Sequence, residues 1–249
     1  MEPWFFVSSE LLQHDIVILS QELIRHLRVL RMQPGDLMVL ADGKGNAFRA
    51  RLESLTNSGG EALLLGEAPS SNEPLFQVTF FAGVTKGEKM DLAVRQSVEL
   101  GIIRIVPVLS ERSVPRLTAA KKEEKRIRWQ KIAAAAAEQC RRSRIPEVTL
   151  PLDFDEMIVS WSEEKFETII VPWEEEKTTS LRQTLENLPA PKKIAFFTGP
   201  EGGISPQEIE QIKKIPGVYP VTLGPRILRA ETAPATLLSI LMYNYEWKP

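Results

Sequence analysis

From Phe76 onward the sequence alternates strand-length apolar runs with helix-length amphipathic stretches, and this alternation leaves few folds open. Strands are expected at residues 77–82, 102–108, 168–171, 194–198 and 218–222. Helices are expected near 88–100, 119–142, 180–188, 206–215 and 232–245. Strands separated by helices return parallel to one another, so the pattern predicts an α/β fold: a mainly parallel sheet with helices on both faces.

The preceding stretch reads differently. Trp4-Phe5-Phe6-Val7 is a short apolar strand, and residues 20–30 form a helix with Ser20 as N-cap and Leu23, Leu27 and Leu30 on one side. After the Pro34-Gly35-Asp36 turn come strands at 37–41 and 47–55, joined by the turn 42–46. Ser58-Gly59-Gly60 turns the chain into a strand at 61–65. The polar, proline-bounded run 69–74 marks a boundary, giving a small β domain over 1–72 and an α/β domain over 73–249.

Several function classes are disfavoured by composition. The start, Met1-Glu2-Pro3-Trp4, lacks a basic segment followed by an apolar run and does not read as a secretory signal. The longest uncharged apolar stretch, 232–245, has 14 residues, too few to span a bilayer. A single cysteine, Cys140, excludes an internal disulfide framework and suits a cytoplasmic protein, and with His14 and His26 alone no metal site is expected. The net charge of −2 hides an asymmetry. Residues 112–144 hold eleven Lys/Arg against three Glu, a local +8, which leaves −10 for the remainder. Trp129, Ile132, Ala133, Ala136, Ala137 and Cys140 recur at helical spacing as an apolar face, with Arg128, Lys131, Glu138 and Arg142 on another. Such a helix is either a solvated surface or an RNA-backbone contact, and Arg112, Arg116, Arg141, Arg142 and Arg144 beside it keep the second reading open.

Chemistry is concentrated in two loops. Thr198-Gly199-Pro200-Glu201-Gly202-Gly203 follows an apolar strand, and Ser205-Pro206-Gln207-Glu208 then gives an N-cap, a proline at the first helical position and a capping-box glutamate. Such a turn lies where ligands of parallel sheets bind. No Lys-Ser/Thr follows the glycines and the spacing is not G-x-G-x-x-G, so neither a nucleotide-phosphate loop nor a dinucleotide fingerprint is present. The second loop, residues 223–233, also joins a strand to an apolar helix. It places Arg229 and Glu231 at a helix start, where the dipole favours a carboxylate but not an arginine.

Together these loops resemble the bacterial 16S ribosomal RNA (uracil-N3)-methyltransferase family of the SPOUT superfamily. The likeness extends to Arg25-His26-Leu27-Arg28-Val29-Leu30-Arg31 with Gly35-Asp36, to Glu99-Leu100-Gly101, to Ser110-Glu111-Arg112 and to Ala137-Glu138-Gln139-Cys140-Arg141. It covers nearly the whole chain. Cys140 and Ala230 depart from it, standing where serine and threonine are expected.

The resemblance implies a PUA-like N-terminal barrel, a C-terminal trefoil knot, S-adenosylmethionine as cofactor and a homodimer, with 16S ribosomal RNA, within the small ribosomal subunit, as substrate. Carried onto this sequence, the cofactor contacts are Val171, Pro172, Thr198, Gly199, Pro200, Glu201, Gly202, Gly203, Leu223, Gly224, Ile227, Leu228 and Ala233. Arg229 would stabilise charge on the uracil, and Glu231 would act as base or orient Arg229. RNA contacts are expected from Arg25, Arg28, Arg31, Arg112, Arg116, Lys122, Lys125, Arg128, Arg141 and Arg142. Two rivals stay open: a related enzyme acting on a ribose 2′-hydroxyl, and a non-catalytic RNA-binding protein.

Overall fold

The computed structural model describes residues 2–57, 59–68, 72–113 and 116–247. The chain divides into two units, Met1–Glu73 with Ala137–Ile145, and Pro74–Ala136 with Pro146–Pro249. The contiguous division expected from the sequence did not include the returning stretch 137–145.

In the first unit β1 (Trp4–Phe6), β2 (Ile16–Ile18), β3 (Leu37–Ala41), β4 (Ala47–Leu55) and β5 (Gly60–Glu67) form one sheet in the order β1-β3-β4-β5-β2. Only the β1–β3 pair is parallel. Helix α1 (Gln21–Val29) starts at Ser20, whose hydroxyl accepts from the Leu23 amide, and buries Leu23, Ile24 and Leu27 in a core with Val17, Met38, Leu40 and Leu52. Leu30, expected on that face, is instead 48% exposed, because the helix ends there and Ile24 completes the apolar stripe. The end is a Schellman turn: Met32 N–H donates to the Leu27 carbonyl and Arg31 N–H to that of Arg28, with Arg31 at φ 57°, where glycine is usual. Strand β2 was missed because three residues are too few to show an alternation.

The stretch 137–145 belongs to this unit through specific bonds. Gly43 O accepts from Ile145 N–H at 2.9 Å, and Ser143 O from Gly45 N–H at 3.1 Å. Arg142 is only 2% exposed and donates through Nη2 to Glu73 Oε2 at 2.6 Å. It therefore cannot be the RNA contact expected of it, and it lies beyond the helix on which it was placed.

The second unit holds a wholly parallel sheet built on β6 (Gln77–Gly83), β7 (Arg104–Leu109), β8 (Glu147–Val148), β10 (Thr168–Pro172), β11 (Lys193–Thr198) and β12 (Val218–Val221). Their order is β12-β10-β11-β6-β7-β8, and β9 (Leu152–Asp153) also pairs with β7. The helices are α2 (Lys89–Glu99), α3 (Ala119–Gln139), α4 (Phe154–Glu164), α5 (Leu181–Asn187), α6 (Pro206–Ile212) and α7 (Thr232–Tyr245). Ile194, Ala195, Phe196 and Phe197 are all fully buried, as a strand covered on both faces requires. Phe81, Val106, Val108, Ile169, Val171, Ala195 and Phe197 pack with Phe154, Met157 and Trp161 of α4 and with Ile209 and Ile212 of α6. The alternate residues Val78, Phe80, Ile105, Ile194 and Phe196 are buried on the other face, where the rings of Phe80 and Phe196 stack at 4.6 Å.

Candidate active site

The chain leaves β6 toward β7 on one side, yet β11 occupies β6's other flank, so the strand order reverses between β6 and β11. At such a switch point neighbouring loops diverge and open a crevice at the strands' C-terminal ends. A cleft of about 870 Å³ opens beside it, over the C-terminal ends of β10, β11 and β12, walled by the segments that follow these strands, with Lys89 of α2 at one side.

Each wall is fixed locally. Gly203 sits at φ 73°, its N–H bonded to the Pro200 carbonyl at 2.9 Å, and the Glu174 carboxylate occupies the space a Cβ there would need. Gly83, at the end of β6, packs so tightly that an added Cβ would lie 2.5 Å from Pro200 N. The Glu201 carboxylate accepts from the Lys86 amide and from Lys89 Nζ, both at 3.2 Å. Burial alone would raise its pKa, but hydrogen bonds from its own backbone amide, from Lys89 and from the Lys86 amide outweigh burial and hold it below the usual glutamate value. In the loop after β10, Glu176 Oε1 accepts from Thr178 Oγ1 and from the Thr178 and Thr179 amides, and these bonds depress its pKa. Thr222 joins that loop to the one after β12: its N–H donates to Thr179 O at 2.9 Å and its carbonyl accepts from Leu181 N–H at 3.1 Å.

Pro172, Thr198, Gly199, Pro200, Glu201, Gly203, Leu223, Gly224, Ile227, Leu228, Ala233, Arg229 and Glu231 all line this one cleft. Two expected cofactor residues do not. The Val171 side chain is wholly buried in the core under α4 and α6, because it points to the sheet's face rather than past its end. Gly202 turns away from the cleft toward Arg112, whose Nη1 donates to its carbonyl at 3.0 Å. Lys89, Trp173, Glu174, Glu176 and Lys177 also line the cleft and were missed. The signal for the last four was their place directly after a parallel strand.

Arg229 is exposed, and its carbonyl accepts from the Thr232 and Ala233 amides to begin α7. Glu231 occupies the N-cap position, and its Oε2 is buried with no hydrogen-bond partner among the described residues. No ion pair joins it to Arg229 among those residues. A buried carboxylate oxygen left unmatched is costly unless a ligand supplies a donor or a cation.

The remaining basic residues fall into two groups. Lys122 pairs with Asp153 at 3.2 Å and Arg128 with Asp91. Arg25 and Arg116 are exposed, Lys125 is half-buried, and Arg141 is half-buried with its carbonyl accepting from Asn72. In the first unit Arg28 donates to the Thr56 carbonyl, and with Arg31, Gln33 and Asn57 it lines a polar hollow of about 610 Å³.

A parallel sheet whose strand-end loops close on one cleft, carried with a separate mixed-sheet unit, defines an α/β ligand-binding enzyme architecture. Comparison with known proteins specifies it. The RNA methyltransferase domain family matches residues 71–242, and the RNA methyltransferase PUA domain family matches residues 19–64. Among curated relatives, ribosomal RNA small subunit methyltransferase E of Synechocystis sp. is 34% identical over 93% of this chain and 74% of its own length. That of Bacillus subtilis is 30% identical over 92% and 90%. The crystal structure of the Neisseria gonorrhoeae ribosomal RNA small subunit methyltransferase E bound to S-adenosyl methionine superposes with a TM-score of 0.86 at 33% identity, covering 98% of both chains. The chain belongs to the RNA methyltransferase family.

Proposed function

We propose that this enzyme transfers a methyl group from S-adenosylmethionine to N3 of a uridine in small-subunit ribosomal RNA. The observation that carries the reading is the convergence of the 199–203 and 223–231 loops on one cleft that also holds the orphaned Glu231 oxygen. The residues present fit the cofactor. Backbone N–H and C=O groups around Gly199, Gly203, Leu223 and Gly224 can read an adenine edge, and glycine lets them approach it closely. Glu174, Glu176 and Glu201 suit its cationic centres, while Lys89, Lys177 and Arg226 suit its carboxylate. The cofactor supplies a methyl group already activated on a sulfonium sulfur.

The protein's contribution is alignment and charge. The N3 proton of the uridine passes to Glu231, whose free oxygen has no competing donor. Arg229 would balance the negative charge that loss of the N3 proton spreads over O2 and O4 of the base, holding the anion that accepts the methyl group. An unstacked uridine must enter the cleft, so the substrate presents a loop or an opened helix.

The N-terminal unit is proposed to hold RNA, with Arg28 and Arg31 on phosphate. The α/β unit is proposed to be knotted, since the chain leaving β12 is bonded to residues 179 and 181 before it reaches α7. A second copy is proposed to cover the exposed Leu92 on α2 with Ile240 and Tyr243 on α7, helices that pack together. Among the described residues no helix is long and apolar enough to cross a membrane, and a single half-buried cysteine, Cys140, is compatible with the reducing cytoplasm proposed as its location.

Incubation with labelled cofactor and small subunits lacking the modification, followed by nucleoside mass analysis, should yield N3-methyluridine. A ribose-methylated product, or none, would overturn the assignment. Arg229→Ala should abolish transfer while the calorimetric cofactor Kd changes little. Equal loss of both would show that Arg229 shapes the cofactor cleft instead.

A further inference from the structure

Glu208 at the start of α6 is 4% exposed, and its two carboxylate oxygens serve two different segments. Oε2 accepts from the Ser205 amide at 2.9 Å and completes the capping box of its own helix. Oε1 accepts at 2.8 Å from the Glu111 amide, in the loop after β7. The helix needs only the first bond. A glutamine could serve the cap through its carbonyl, but its NH2 would then face the second N–H; only a carboxylate accepts from both. Burying that charge is costly, so the second bond calls for a role outside α6.

Glu111 holds its neighbour in place. The 110–113 loop is closed on itself, with Ser113 N–H donating to Ser110 O at 3.0 Å and Ser110 N–H to Ser113 Oγ at 3.1 Å. Fixing Glu111 therefore fixes Arg112. Arg112 reaches across to the Gly202 carbonyl at 3.0 Å, and a Cβ at Gly202 would lie 2.9 Å from its Cβ, so the missing side chain admits the arginine. Gly202 stands between Glu201 and Gly203, which both line the cleft. The contacts form a ring: Glu208 to Glu111, Arg112 to Gly202, and Ser205 back to Glu208. One side of the ring is the cleft wall. The other carries an exposed arginine outside the cleft.

We propose that Glu208 is a positioning residue that couples these loops, so that an RNA phosphate held by Arg112 and the cofactor in the cleft strengthen each other's binding. This rests on the methyltransferase reading above. The ring is one hydrogen-bonded unit, so the arrangement that either ligand favours on its own side is the arrangement the other ligand meets. The coupling is reciprocal by thermodynamic necessity, so it can be read from the RNA side alone.

The test is titration of a small-subunit ribosomal RNA transcript with and without saturating S-adenosylhomocysteine. The wild-type protein should bind the transcript roughly fivefold or more tightly when the cofactor product is present. Glu208→Gln should bring that ratio to one. A purely structural Glu208 would weaken both ligands yet preserve the ratio, which overturns the proposal. Should Glu208→Gln fail to fold, Arg112→Ala reads the same ring from its exposed end, and a preserved ratio there is equally fatal. A wild-type ratio of one, with both ligands bound, removes the coupling alone. A wild-type protein that binds no S-adenosylhomocysteine instead removes the methyltransferase reading, and the coupling with it.

Discussion

Gly83 has no neighbour in sequence that hints at a ligand, yet it sets the position of the cleft's central wall. A methyl group there would press on the Gly199–Pro200 peptide, whose other side is held by Ile204 and Gly203. Overpacking of this kind costs about 1–3 kcal/mol. Gly83→Ala should therefore weaken S-adenosylhomocysteine about tenfold or more by calorimetry; an unchanged Kd would show that the loop is free to move aside. Glu201 acts on the same loop through charge. Its carboxyl is held below the ordinary glutamate value in the folded protein, so the order it contributes is complete above that ordinary value and is lost as pH falls through the lowered pKa. Cofactor affinity should thus show no Glu201-linked change between pH 8 and about 5 and fall below that. Glu201→Gln should reproduce the acid-form loss at pH 7. Neither glycine packing nor the second acceptor of Glu208 was legible in the sequence, because both depend on which strands and loops become neighbours. The two glycine-containing turns were legible, because turn chemistry is local.

At the scale of elements, the basic helix α3 shows how much a charge run conceals. Arg126 pairs with Glu123 within the helix, Lys122 with Asp153 and Arg128 with Asp91. Lys121, Lys125 and Lys131 have no ion pair among the described residues and are the positions where RNA phosphate can be met without first breaking one. Changing these three to glutamate should weaken transcript binding and reduce the slope of log K against log salt by about 0.7–0.9 for each phosphate lost. An unchanged slope would take the helix out of the RNA footprint. Of the apolar stripe legible from spacing, Trp129, Ala133, Ala136 and Ala137 are buried, whereas Ile132 and Cys140 are half-buried. The helix end was not. Periodicity ran on to 142, whereas the chain stops being helical at Gln139 and Arg141 adopts φ 62°. Helix α4 was missed outright although Asp153 and Glu156 form a capping box and Phe154, Met157 and Trp161 share one face. It follows β9, a strand of two residues, so the strand–helix alternation gave no cue to look for it.

At the scale of the whole molecule, local pattern gave the fold class but could not give strand order, and strand order is what brings the 199–203 and 223–231 loops to one cleft. Nor could it show that residues 137–145 leave the α/β unit for the other one. The two units have separate apolar cores, one around Ile24, Leu40 and Leu52 and the other around Phe81, Phe197 and Trp161, and every residue lining the cleft belongs to the second. A ligand stabilises what it binds by mass action, by about 2.7 kcal/mol at a hundredfold excess over Kd. Under that excess of S-adenosylhomocysteine, amides of β10, β11 and β12 that exchange by unfolding of their unit should slow about a hundredfold. Amides of β3, β4 and β5 should be unaffected. The returning stretch is the decisive probe. Ile145 follows α3 in sequence, but its amide is bonded to Gly43 O in the first unit, so its exchange should ignore the ligand. Uniform slowing of all these amides would mean that the chain unfolds as one cooperative body despite its two cores.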